Sequence, residues 1–268
     1  MLSKLLRHEF RATQRIMLPL YLLLLVTAGM FHLSMLMQEN ERIGEGWAAR
    51  IFTGVSITLF VISLVGVSVL ACALMIYRFY KNLMTDEGYL MFTLPVTTHQ
   101  LILSKLIVSL VWSVATVLAD ALAVVVAMCR MVEMNDLRQA WQEFLYLLGD
   151  MTAGEIVGYG IEIALLMLFS AVASFLTFYA AIALGHSFAN HKILLSVAFY
   201  FAFTIGLQII RNLISVFSIG AVSFRWEELD PYALIHWGLG GAVGLSVLQA
   251  VGFYLLTHGM LRRRLNLQ

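Results

Sequence analysis

The chain has 268 residues, 61% of them hydrophobic and 12% charged, and its mean hydropathy is +0.87. Soluble domains carry about 25% charged residues, so this balance speaks against one large soluble helical protein and for a membrane protein, whose helices need ~20 apolar residues to cross ~30 Å of hydrocarbon. A net charge of +1 gives no bulk attraction to nucleic acid, and two cysteines, Cys72 and Cys129, without Cys-x-x-Cys spacing give neither a disulfide framework nor a zinc site.

The apolar runs predict an all-α polytopic membrane protein with six spans, at residues 16–37, 51–77, 101–128, 156–184, 193–210 (or as far as 222) and 232–261. Residues 16–261 read as a single six-helix transmembrane domain and 262–268 as a basic tail. Residues 1–15 read as an element of their own. Lys4, Arg7, Arg11 and Arg15 recur at spacings of three and four, with Leu2, Leu5, Leu6 and Phe10 on the other side. That is the pattern of an amphipathic helix lying in the plane of the membrane interface. A basic start before an apolar run also looks like a secretion signal, but the run 16–37 is followed by no small-residue cleavage site, so an uncleaved anchor is expected. Pro19, Pro95 and Pro231 fall at or near span edges, where a missing N–H costs little.

Between spans two and three, residues 84–105 read MTDEGYLMFTLPVTTHQLILSK. Thr85 or Asp86 suits a helix start, Asp86 and Glu87 suit its positive end, and Pro95 stops it. Thr97-Thr-His-Gln100 has the spacing of a capping box opening span three. Tyr89, Leu90, Met91, Phe92 and Leu94 then form an apolar patch on a short loop, which either meets a partner or tucks against the interface.

Further along, Asp120 lies in span three and Glu162 in span four, at similar depths of ~9–12 Å from one membrane face at 1.5 Å per residue. Intramembrane acids are costly and face a cavity or a partner. They are expected to line an outward-opening cavity that attracts cationic or amphipathic cargo, the alternatives being pairing with Arg211 or ordinary interhelical hydrogen bonding. Leu137, Trp141, Phe144, Leu145 and Leu148 share one stripe ahead of Gly149 and predict a short helix in the third loop. Gly154-x-x-x-Gly158 and Gly240-x-x-x-Gly244 are spaced for close helix packing. The stretch Gly185-His-Ser-Phe-Ala-Asn-His-Lys192 reads as a polar turn, and Trp226, Tyr232 and Trp237 fit an aromatic belt.

Six spans put both ends of the chain on one side. That side collects Lys4, Arg7, Arg11, Arg15, Arg78, Lys81, Lys105, Lys192 and Arg262 to Arg264, eleven of the 17 basic residues, and the other side six. The positive-inside rule therefore places both termini, and the loop 84–105, in the cytoplasm of a cell-membrane protein.

The segment Asp86-Glu-Gly-Tyr-Leu-Met-Phe-Thr-Leu-Pro95, with Gln100 and Ser104-Lys105 after it, resembles the loop that follows the second span of bacterial ABC-2-type transporter permeases. The basic amphipathic start and the six-span layout are similar too, and the motif covers about twenty residues of the chain. The resemblance implies that this loop is a coupling helix, seated in a groove of a separate ATPase subunit. Asp86, Glu87, Gly88, Tyr89, Leu90, Phe92, Thr93, Leu94 and Pro95 would then be its contact positions. It also implies two permease subunits, identical or paralogous, with two copies of the ATPase. The chain itself contains no Gly-Lys dipeptide and hence no phosphate-binding loop of the usual kind. It is therefore expected to bind no cofactor and to be no enzyme, with ATP and Mg held by the partner.

Rival readings are an intramembrane enzyme and a secondary transporter. His186-x-x-x-Asn190 resembles one element of the intramembrane CAAX-type proteases, but Glu227-Glu228 is followed by Leu-Asp-Pro-Tyr with no arginine in place. No His-Glu-x-x-His or Gly-x-Ser-x-Gly occurs, and no internal repeat of a secondary transporter is evident. The sequence therefore reads as the membrane subunit of an exporter of hydrophobic or amphipathic cargo, peptides or drugs. The resemblance extends to peptide-exporting members, including those that export phenol-soluble modulins.

Overall fold

The structure, a computed structural model, describes residues 2–39, 46–85, 87–88, 91, 96–129, 134–147, 149, 151–188, 190–223 and 231–263. The described residues form seven helices: α1 (Leu2–Glu39), α2 (Trp47–Met84), α3 (Thr98–Met128), α4 (Met134–Leu147), α5 (Ala153–Gly185), α6 (Lys192–Ser223) and α7 (Pro231–Arg263). All but α4 are long and apolar enough to cross a membrane, so the chain is all-helical with the spans of a multi-pass membrane protein. It divides into two compact units: residues 1–75 with 107–151, and residues 76–106 with 152–268.

In the first unit the core joins Leu24, Ala28 and Phe31 of α1, Phe60 and Val67 of α2, and Ala123 and Ala127 of α3. The rings of Phe31 and Phe60 stack with centroids 5.8 Å apart, and the two alanines let α3 approach. Water gives no hydrophobic drive between helices in lipid, so hydroxyl contacts supply part of the cohesion, at about 0.6 kcal/mol each. Tyr21 and Thr116 share a hydrogen bond of 2.8 Å, Thr27 and Ser63 one of 2.6 Å, and Gln38 donates to Thr53 at 3.2 Å.

The amphipathic segment 1–15 is present, with Lys4, Arg7, Arg11 and Arg15 all exposed. It is continuous with the first apolar run, and α1 has no joint at residue 15 between an in-plane element and a span. The reason lies on its other face. Glu9 and Thr13 are buried, Trp112 of α3 donates its indole N–H to the Thr13 hydroxyl at 2.8 Å, and Phe10 packs on the same indole. At 1.5 Å per residue its 38 residues span ~57 Å, well beyond ~30 Å of hydrocarbon. Pro19 lies inside this helix and not at its end. It leaves the Arg15 carbonyl without its intrahelical donor, which membrane helices tolerate where neighbours compensate.

In the second unit α5 packs against both α6 and α7. Its buried residues crowd into its C-terminal half, with Phe175, Leu176, Tyr179 and four alanines among them. The Phe79 ring of α2 lies flat on Tyr179 at 3.9 Å. This contact explains why α2 continues to Met84, seven residues beyond the end expected from hydropathy: Phe79, Leu83 and Met84 are buried as core. At the very C-terminus of α5, Gly185 meets the start of α6. An added Cβ would lie 2.4 Å from the Ser196 backbone nitrogen, so only glycine permits this approach. Along α6, by contrast, Ser196 is the one buried residue among those described, and Phe201, Ile205, Ile209 and Val216 are exposed, as suits a helix facing lipid.

Three helix starts follow from local chemistry. Thr97 and Gln100 form the expected capping box, each side chain taking the other's backbone N–H at 3.3–3.4 Å. Thr152 and Glu155 form a second one at α5, which the sequence reading passed over. Pro231 opens α7, where its missing N–H has no intrahelical partner to lose.

Candidate functional sites

Of the nine residues assigned to the coupling position, Asp86, Tyr89, Leu90, Phe92, Thr93, Leu94 and Pro95 lie outside the described residues. Glu87 and Gly88 are helical and follow α2 closely. Thr85 does not act as the expected N-cap. Its hydroxyl donates back to the Lys81 carbonyl and its own carbonyl accepts from Gly88 N–H at 2.7 Å, so it finishes α2. Glu87 reaches Lys81 at 3.2 Å, both side chains about half exposed. Gly88 is buried, and a Cβ there would stand 2.7 Å from the Leu83 carbonyl oxygen. No side chain fits at that contact, because the obstacle is backbone.

The two intramembrane acids sit in different units, each with its own partner. Asp120 accepts from the Ser68 hydroxyl at 2.6 Å, and its Oδ1 is buried with no hydrogen-bond partner. Glu162 holds His236 of α7 through Oε1 at 2.9 Å, and its Oε2 is buried and likewise unmatched. The His236 ring lies flat on Tyr159 at 4.1 Å. Arg211 is not the partner that the sequence left open; it donates to Gln208 at 3.4 Å, one turn back on its own helix.

Of the four packing glycines only Gly158 faces another helix, with the His236 ring 3.6 Å from where its Cβ would be. Gly154 meets only the Thr152 cap at 3.9 Å, and Gly240 and Gly244 have open space around them and are exposed. Among the described residues the Gly240–Gly244 pair therefore packs on nothing. The stripe on α4 is exposed as well, at Leu137, Trp141, Phe144 and Leu145, while Leu148 lies outside the described residues.

One site was not anticipated. The turn between α5 and α6 and the end of α2 enclose a cleft of about 510 Å³. Its polar wall is Tyr80, Thr85, His186, His191 and Lys192, and Met84, Ile193 and Leu194 complete it. His186 caps α5: its N–H reaches the Ile182 carbonyl, and its ring Nδ1–H donates to the same oxygen at 2.9 Å. The imidazole is buried, 7% exposed, and held below the ordinary histidine range by that burial, partly opposed by the Ile182 bond and reinforced by Lys192. Asn190 is exposed, and among the described residues no hydrogen bond joins it to His186, so the His-x-x-x-Asn spacing makes no dyad here. The polar composition of 185–192 was the available signal; the cleft depends on Tyr80, about 100 residues earlier.

With these sites in view, no protein-family model, no curated protein and no solved structure matches the chain.

Proposed function

We propose that the chain is the membrane-spanning subunit of an ATP-driven exporter resembling the ABC-2-type permeases, moving hydrophobic or amphipathic cargo outward with energy from a separate ATPase. The observation that carries this reading is the connection between α2 and α3. It is short, it bears the Asp-Glu-Gly-Tyr-Leu-Met-Phe-Thr-Leu-Pro segment, and its described start is tied to α2 by Lys81–Glu87, by the Gly88–Thr85 hydrogen bond and by the Gly88–Leu83 contact. A turn fixed in this way to a membrane helix passes on a push instead of absorbing it. The six long apolar helices supply the walls of a path, and in the proposed assembly a second permease subunit and two ATPases complete the machine.

The test has two parts. Solubilised from its own membrane, the tagged chain should retain a phosphate-loop ATPase, and Phe92→Ala or Leu94→Asp should release it. A probe at residue 97 should react only from the cytoplasmic side. Labelling from outside, or cargo movement by the purified chain with no nucleotide-hydrolysing companion, overturns the proposal.

A further inference from the structure

We infer that α4 is an interfacial helix: it lays its apolar face into the lipid leaflet at the end of the first unit where α3 finishes, and it takes a neutral, loosely packed lipid surface in preference to an anionic one. The inference needs only that the long helices span a membrane, and it does not rest on the transport reading.

The residues of α4 divide cleanly around its axis. At ~100° per residue, Leu137, Trp141, Phe144 and Leu145 fall within one arc of ~100°, and Asn135, Asp136, Arg138, Gln139, Gln142 and Glu143 fall outside it. Among the described residues no neighbour covers that arc: every residue from 135 to 146 is exposed. The Trp141 ring packs on Phe144 of the same helix, centroids 5.6 Å apart, which makes one bulky apolar wedge.

Two observations say what covers the face. The first is the tether. Five residues separate α4 from α3 and five separate it from α5, and both neighbours are long and apolar enough to cross a membrane. A connection of that length reaches at most ~20 Å, so both ends of α4 stay close to the bilayer surface. The second is the level of that surface. Cys129, just past α3, meets His32 of α1 at 3.5 Å, and Gln38 of α1 donates to Thr53 of α2 at 3.2 Å. The end of α3 and the start of α2 therefore share one end of the first unit. Trp47 stands there as the first residue of α2, 78% exposed, and tryptophan favours the water–lipid boundary.

Area argues against a protein in the same place. A helix of 14 residues is ~21 Å long and ~10 Å wide, so one face offers ~200 Å². Each partner of a stable protein pair buries ~800 Å². A contact with the bilayer has no such threshold, because the tether already holds the helix beside it.

Charge then selects the lipid. The polar face of α4 carries Arg138 against Asp136 and Glu143, whereas residues 1–15 carry four basic side chains. An anionic headgroup layer therefore offers α4 no attraction of the kind that polybasic segments use. Its hold depends on inserting apolar side chains between headgroups, and such insertion is sensitive to lipid composition. Unsaturated chains leave the gaps that a Trp–Phe wedge needs.

The experiment uses the full chain in nanodiscs of unsaturated phosphatidylcholine, with Cys72→Ala and Cys129→Ala to remove the native thiols. A nitroxide is attached at Leu137→Cys on the apolar face or at Gln139→Cys on the polar one. Its collisions with oxygen, which concentrates in lipid, are compared with those of a water-soluble nickel chelate. The oxygen-to-nickel ratio should be at least about fivefold higher at 137 than at 139. It should persist to ~1 M salt, where the Debye length is ~3 Å, and should not rise when phosphatidylglycerol is added. Nickel collisions at 137 should at least double when saturated chains replace unsaturated ones. Trp141→Gln with Phe144→Gln should bring the ratio at 137 down to that at 139 with the thermal midpoint unchanged, because both side chains are exposed. A label at 137 that meets neither reagent is covered by protein, and equal ratios at the two positions put α4 in water. A ratio that needs phosphatidylglycerol or collapses in salt makes the attraction electrostatic, and indifference to chain saturation removes the preference for loose packing. Each of these four results overturns the inference as stated.

Discussion

His186 shows how a single residue acquires a pH-dependent role in stability. Burial, with Lys192 close by, depresses its folded pKa below the ~6.5 of an unfolded histidine. Between those two values the unfolded chain holds a proton that the folded chain refuses. Stability therefore rises with pH through that window and is lost on acidification below ~6.5, by at most ~1.4 kcal/mol per pH unit for one group. The chain carries six other histidines, so the measurement is a difference: between pH 7.5 and 5.5 the thermal midpoint of wild type should fall further than that of His186→Gln, and equal falls would show that His186 contributes nothing. The residue types at 186, 191 and 192 were readable as a polar turn. That Tyr80 lines a cleft with them was not, because the pairing is tertiary and leaves no local periodicity. The same holds for Asp120 and Glu162. Their presence in apolar runs announced that partners must exist, but the choice of Ser68 and His236 over Arg211 was made by packing.

Elements were legible in proportion to how local their causes are. Both ends of the Thr97–Gln100 box lie within four residues, and it formed as read. The existence of six long apolar helices followed from hydropathy alone. Their limits shifted wherever a distant contact lengthened a helix, as Tyr179 does for α2 and Trp112 for α1. Glycines show the contrast most plainly, because spacing identifies a candidate face and only the fold says which face is used. Gly185, without a spacing motif of its own, stands against the Ser196 backbone; Gly240 and Gly244, with one, stand in open space. Gly185→Ala should therefore lower stability by about 1–3 kcal/mol as an overpacked contact, read as a lower thermal midpoint in detergent. Gly240→Ala should stay within about 0.5 kcal/mol of wild type. The reverse order would mean that α5 and α6 do not meet as described.

For the molecule as a whole, each of the two units holds one of the two acids within the apolar spans. Each has one oxygen satisfied and one buried without a partner, Asp120 in the first unit and Glu162 in the second. If these open valences attract cationic cargo, Asp120→Asn with Glu162→Gln should reduce export of a cationic substrate at least about tenfold relative to a neutral one of similar size, in vesicles that retain the full assembly. Equal export of both substrates removes the cargo role and leaves the acids as interhelical fasteners.

The buried glycine at position 88 has a practical consequence for anyone who wishes to watch this protein work. A cysteine or fluorophore placed there would wedge against the Leu83 main chain and report its own damage. Glu87 next door is exposed, and a label there gives up the ion pair with Lys81 but leaves the two backbone contacts of Gly88 in place. A spectroscopic label on that neighbour would report on the end of α2, and a signal that changes when an ATPase and nucleotide are added would support the proposed coupling.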